Sequence, residues 1–285
     1  MKSRVGILMM VAGLSALAPT SASAAKVSLK QIEIGPRAAA RGGGNFVLVY
    51  QAGRGEANNV GIDGDGFTVR IGDKGATIKA GARCDRVTAH KAVCEFPMTR
   101  RLDVTHPARA NLGNGDDRIT GDGIFWNRLN GGTGDDRLRG SPSNDFMIGG
   151  KGSDLIGGRG GDGDIAVYQG RADDLRINLA KSARYNDGGK GDGPPGQRDR
   201  IVGVEDVAGG KGDDVLRGNN SQNTLIPLGG EDTVFALGGN DFIDLGLDAG
   251  GGGDPDQVAD VADCGAGESD GVQGADGLDT LIDCE

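Results

Sequence analysis

The sequence predicts an all-β chain whose main architecture is a parallel β-roll, a solenoid of very short strands in two blocks, preceded by a small β-rich N-terminal module. Three observations predict it. Gly-Asp segments recur at a fixed nine-residue spacing, one aliphatic residue keeps its place in each period, and 55 glycines with only 4% aromatics exclude an ordinary close-packed core.

The period is read by aligning Gly131-Gly132-Thr133-Gly134-Asp135-Asp136-Arg137-Leu138-Arg139 with Gly149-Gly150-Lys151-Gly152-Ser153-Asp154-Leu155-Ile156 and with Gly209-Gly210-Lys211-Gly212-Asp213-Asp214-Val215-Leu216-Arg217. All three fit Gly-Gly-x-Gly-x-Asp-x-aliphatic-x. The aliphatic returns at Leu138, Met147 and Ile156, then at Leu216, Leu225, Val234 and Ile243. Two positions ahead of these stand Asp136, Asp145, Asp154, Asp214, Asn223, Asp232 and Asp241. An acidic linker has no reason to keep an aliphatic in phase, so the composition is read as a fold rather than as disorder.

Each position has a physical task. Glycine at positions one, two and four is expected to take positive φ angles, which lets a six-residue turn aim its carbonyls inward. The aspartate at position six adds a carboxylate, and carbonyl plus carboxylate oxygens suit a hard cation such as Ca2+, which takes six to eight of them. The aliphatic sits on a three-residue strand and points into the stack. Two repeats complete one coil, so carboxylates two repeats apart face one ion: Asp136 with Asp154, Asp145 with Asp162 or Asp164, Asp214 with Asp232, and Asn223 with Asp241. The candidate metal ligands are therefore Asp117, Asp136, Asp145, Asp154, Asp162, Asp164, Asp214, Asp232 and Asp241, with the turn glycines Gly132, Gly134, Gly150, Gly152, Gly210 and Gly212. Several ions are expected.

These residues resemble the hemolysin-type calcium-binding repeat, the RTX β-roll family, over roughly residues 111 to 165 and 208 to 272. The resemblance implies a right-handed parallel roll that is disordered without calcium and folds when the ion arrives. The chain departs from the pattern at Gly140 to Ile148, which reads Gly-Ser-Pro-Ser-Asn-Asp, at Asn223, and at Gly157, where the turn arrives one residue early.

Around the repeats, five segments are expected: a signal peptide over 1–24, the β-rich module over 25–110, a first roll over 111–165, an insertion over 166–207 and a second roll over 208–285. Lys2 and Arg4, the apolar run from Val5 to Ala18 and the small-x-small triplet Ala22-Ser23-Ala24 carry the export reading, and the run is shorter than the roughly 20 residues a membrane span needs. The family often uses a C-terminal uncleaved export signal, so an N-terminal one sets this chain apart from its pore-forming toxins. Asp63-Gly64-Asp65-Gly66 reads as a hairpin turn, because position 74 is Lys where an EF-hand needs Glu. In the insertion, strands are expected at Ile165 to Tyr168, Leu175 to Leu179 and Ile201 to Val204, with a flexible loop over Asp187 to Gly193. Trp126 is read as capping the open end of the first roll.

Four cysteines suit an oxidising compartment, and local pairing of Cys84 with Cys94 and Cys264 with Cys284 is the simplest of three connectivities. A formal net charge of −10 argues against nucleic acid and anionic membrane as partners, and self-repulsion of that size calls for cations among the carboxylates. His90 and His106 are the only histidines, and there is no zinc-protease motif, nucleophile elbow or phosphate loop. The expected function is a secreted calcium-binding protein of structural, adhesive or scaffolding character, with cell-surface or matrix components as partners. The competing reading is an extracellular hydrolase.

Overall fold

A computed structural model describes residues 24–32, 45–64, 68–95, 108–123, 126–180, 187–246, 258–267 and 269–284. The N-terminal region contributes β1 (Ala25–Ile32), β2 (Asn45–Gln51), β3 (Asn59–Gly64), β4 (Thr68–Asp73), β5 (Ile78–Ala80), β6 (Cys84–Thr88) and β7 (Lys91–Glu95). The first repeat block follows with β8 (Ala108–Asn114), β9 (Arg118–Gly121), β10 (Asn127–Thr133), β11 (Arg137–Arg139), β12 (Phe146–Lys151), β13 (Leu155–Gly157) and β14 (Ile165–Val167). Then come β15 (Arg176–Asn178), β16 (Arg200–Val202), β17 (Asp206–Ala208), β18 (Val215–Arg217), β19 (Thr224–Ile226), β20 (Thr233–Phe235), β21 (Phe242–Asp244), β22 (Val261–Asp263), β23 (Gly271–Gln273) and β24 (Thr280–Ile282). Among the described residues the one helical element is a single 3-10 turn, Lys190–Asp192.

From β8 onward successive strands alternate between sheets, and within each sheet neighbouring coils pair in parallel, which is the β-roll. One sheet of 11 strands runs the whole length; facing it, a sheet of 8 strands ends at β16 and a sheet of 5 strands begins at β15. Each short strand carries one inward side chain. Leu129, Met147 and Ala166 stack in register, as do Leu138, Ile156 and Ile201, and Leu216, Val234 and Ala262. All of these are buried. Alternation in a strand of three residues leaves room for only one such group, which is why the aliphatic recurs singly.

The N-terminal region continues into the roll. β2 pairs in parallel with β8 and β3 in parallel with β9, while β1, β4, β6 and β7 add antiparallel strands outside them. The end of the first block is thus covered by β2 and β3. Trp126 is half-buried beside Phe146 and Ile165 on the flank of the coil, so the expectation that it caps the open end is not met. β3 and β4 pair antiparallel as the hairpin reading requires, with residues 65–67 of its turn outside the described set. Residues 1–23 and His106 also lie outside it.

The segment between the blocks delivers one strand to each sheet: β14 to the long sheet, β15 to the 5-stranded sheet and β16 to the 8-stranded one. Its three expected strands are present. The expected flexible loop is instead ordered, because Asp187 is buried, bridges Asp199 through backbone hydrogen bonds, and accepts from the Asn178 and Ile201 amides. Arg171 ties the seam together, donating to Asp173, Asp192 and the Gly150 carbonyl. Disulfides join Cys84 to Cys94 across β6 and β7, and Cys264 to Cys284 at the far end.

Candidate metal centre

Position six of every coil falls immediately before a strand, and the roll stacks these residues into ladders. In the 8-stranded sheet the backbone N–H of Asn58 donates to Asp117 Oδ1 (2.6 Å), that of Asp117 to Asp136 (2.8 Å), that of Asp136 to Asp154 (2.8 Å) and that of Asp154 to Asp199 (2.8 Å). Along the 5-stranded sheet the same link runs from Leu175 to Asp214 and on to Asp232, Asp260 and Asp279. The long sheet holds a third ladder through Asn127, Asp145 and Asp164, and a fourth through Asn223, Asp241 and Asp270. Each link spends one carboxylate oxygen on the preceding coil and leaves the other to face the turn.

That second oxygen separates the turns. Oδ2 of Asp117, Asp136, Asp154, Asp164 and Asp241 is buried and has no hydrogen-bond partner. Burial pushes these carboxyls up from 3.8, to about 8 for Asp136, about 7 for Asp154 and Asp164, and about 6 for Asp117 and Asp241. Neighbouring carboxylates add to the rise at Asp136. A buried anion with a bare oxygen is costly unless a cation offsets it.

The turns of Asp145, Asp214 and Asn223 satisfy themselves. Asp145 Oδ2 accepts from the amide and hydroxyl of Ser141, supplied by the irregular Gly-Ser-Pro-Ser-Asn-Asp turn. Asp214 Oδ2 accepts from the Gly210 amide (2.6 Å). At Asn223 the side-chain amide donates to the Glu205 carbonyl (2.6 Å) while Oδ1 accepts from the Asn219 amide (2.8 Å). Asp162 is exposed, and of the two alternatives beside Asp145 it is Asp164 that joins the ladder.

The glycines divide by task. Gly132, Gly134, Gly150 and Gly152 have positive φ, and a Cβ at Gly150 would stand 2.0 Å from the Gly132 carbonyl oxygen. Gly210 and Gly212 are packed instead against Arg171 and Asp173, without positive φ. Position one is also not left-handed, contrary to expectation. A Cβ at Gly131 would lie 2.2 Å from Asp136 Oδ2 and 2.6 Å from the Gly149 carbonyl oxygen, and one at Gly149 would lie 2.3 Å from Asp154 Oδ2. Glycine there keeps open a cradle flanked by a carboxylate and a carbonyl. This donor set suits a hard cation, and backbone carbonyls must supply most of it, since no three acidic, histidine or cysteine side chains converge among the described residues.

Reasoning from the repeat missed Asp199, Asp260, Asp270 and Asp279, all in the ladders. Asp199 follows a proline loop with no glycine frame, and the C-terminal three lie beyond residues 247–257, which shift the phase of the period. The shorter signature Asp-x-aliphatic finds them, in Asp199-Arg200-Ile201, Asp260-Val261-Ala262, Asp270-Gly271-Val272 and Asp279-Thr280-Leu281.

A family model described as the RTX calcium-binding nonapeptide repeat (4 copies) matches residues 123–156, 130–164 and 202–234. No curated protein matches the chain. The matched stretches contain the turns that end at Asp136, Asp145, Asp154, Asp164, Asp214, Asn223 and Asp232. The repeats of that model are described as calcium-binding, and residues 123–164 and 202–234 of this chain match them.

Proposed function

We propose that this chain is an exported protein whose roll is ordered by calcium and which serves outside the cell as a structural or adhesive element, presenting its sheet faces to surface or matrix components. The carrying observation is the in-phase set of buried carboxylate oxygens without partners at Asp117, Asp136, Asp154 and Asp164. Calcium would be held by these oxygens and by turn carbonyls such as that of Gly149, and it supplies the positive charge that the stacked carboxylates need. Because the unfolded chain has no preformed site, binding free energy becomes folding free energy. Extracellular modules bind calcium at roughly 10⁻⁴ to 10⁻³ M, which matches supply outside the cell. Two disulfides and the Val5 to Ala18 leader pattern support the same compartment. Replacing Asp136 and Asp154 together by Asn tests the site assignment. Calorimetric calcium stoichiometry is expected to fall while the Asp232 and Asp241 block keeps its share; unchanged stoichiometry would remove the assignment.

A further inference from the structure

The outer face of the 8-stranded sheet is basic on an otherwise acidic chain. Arg118, Arg137, Leu155 and Arg200 align in register across β9, β11, β13 and β16, and the next outward row is Thr120, Arg139, Gly157 and Val202. Arg118, Arg137 and Arg139 are exposed, and none makes a side-chain hydrogen bond or ion pair with a described residue. Arg159 and Arg171, in contrast, are engaged by aspartates. The three guanidinium groups stand along a trough of about 630 Å³. Gly157 leaves its floor low, half-buried Leu155 and 45%-exposed Val202 make it apolar, and Glu205 lies at its margin.

We propose that this trough binds a linear acidic polysaccharide, a chain carrying carboxylate or sulfate on successive sugars. Parallel strands set Arg118 and Arg137 about 4.8 Å apart across the sheet, and Arg139 lies two residues along β11 on the same face, so the three positive charges form a compact cluster that closely spaced anionic groups on successive sugars can meet together. Guanidinium groups hold carboxylate and sulfate oxygens with two parallel hydrogen bonds each. The apolar floor takes the C–H faces of the sugar rings. No aromatic side chain lines the trough, which removes the stacking platform that single-stranded nucleic acid requires. A concave channel also fits a strand better than a bilayer surface. The arginine spacing is set from behind: Arg118 follows Asp117 and Arg137 follows Asp136, so the aspartate ladder that calcium would fill fixes the row. Calcium would also lower the negative charge that repels a polyanion. In this respect the inference rests on the calcium-ordered reading above.

The test measures binding of the full chain in calcium to chondroitin sulfate, to uncharged dextran and to an oligothymidine, after circular dichroism has established on the same sample whether calcium orders the fold. The expected result is salt-sensitive binding of chondroitin sulfate, none of dextran, and a loss of at least tenfold in the variant Arg118→Gln/Arg137→Gln/Arg139→Gln. Arg139→Gln alone is expected to lose less, and Arg176→Gln/Arg217→Gln, on the other facing sheet, nothing. Wild-type affinity in the triple variant, an equal loss in the Arg176/Arg217 variant, or tighter binding of the oligothymidine would each overturn the proposal. A spectrum unaffected by calcium would count against the calcium reading alone, leaving the sugar result to stand or fall on the arginines.

Discussion

At the scale of single residues, the roll uses glycine for two different reasons. Gly132, Gly134, Gly150 and Gly152 supply left-handed backbone, the reason legible in any Gly-rich turn. Gly131 and Gly149 supply absence of a side chain, which the sequence could not reveal because it depends on an oxygen five residues ahead and, at Gly131, another a full coil away. Gly131→Ala is accordingly expected to cost about 1–3 kcal/mol from the forced contact and to weaken calcium binding. Gly157→Ala, whose Cβ would meet nothing nearer than 3.8 Å, should leave thermal stability and calcium titration near wild type. Equal behaviour of the two variants in a thermal melt would contradict the cradle. Asn223 shows the same lesson in reverse: one amide in place of a carboxylate donates to the Glu205 carbonyl and removes the bare oxygen. The substitution was visible in the sequence, but its partner was not.

At the scale of elements, most strands of the roll are three residues long, held by a single buried aliphatic and by their neighbours above and below. Leu225, fully buried between Val207 and Ile243, is representative. Leu225→Ala is expected to cost about 2–5 kcal/mol, read as a lowered midpoint in denaturant, since the stack above and below cannot collapse into the space. A cost under about 1 kcal/mol would mean that the coils are not close-packed there. The nine-residue phase made β11, β12, β13 and β18 to β21 legible, because period and aliphatic agreed. The insertion was legible as strands but not as topology. β15 and β16 exchange one facing sheet for another, and nothing in a local pattern states which sheet a strand joins. Arg171 and the buried Asp192 and Asp199 hold that seam through contacts 21 to 45 residues apart, beyond the reach of a repeat.

At the scale of the molecule, ladders of buried carboxylates tie stability to protons and to metal. In the metal-free chain, burial raises Asp136 from 3.8 to about 8, so the folded chain binds more protons than the unfolded one between roughly pH 4 and pH 8. Stability without metal therefore falls as pH rises through that window. Metal-stripped protein is expected to melt at a higher temperature at pH 5 than at pH 8. In calcium the order should reverse, because protons compete with the ion for the same oxygens. A metal-free melting temperature that rose towards pH 8 would contradict the buried ladders. The charge of −10 pointed to cations from composition alone, and the structure shows that a share of the carboxylates behind it is stacked and buried at position six.

The central claim is that this roll is a calcium-ordered structure, and circular dichroism of the chain at neutral pH, first in chelator and then with calcium restored, tests it most directly. The expected result is a large gain of β signal and a steep rise in melting temperature on adding calcium, reversed by chelator. An identical folded spectrum and melting temperature in both would show that the aspartate ladders stand without the ion, and would contradict the account.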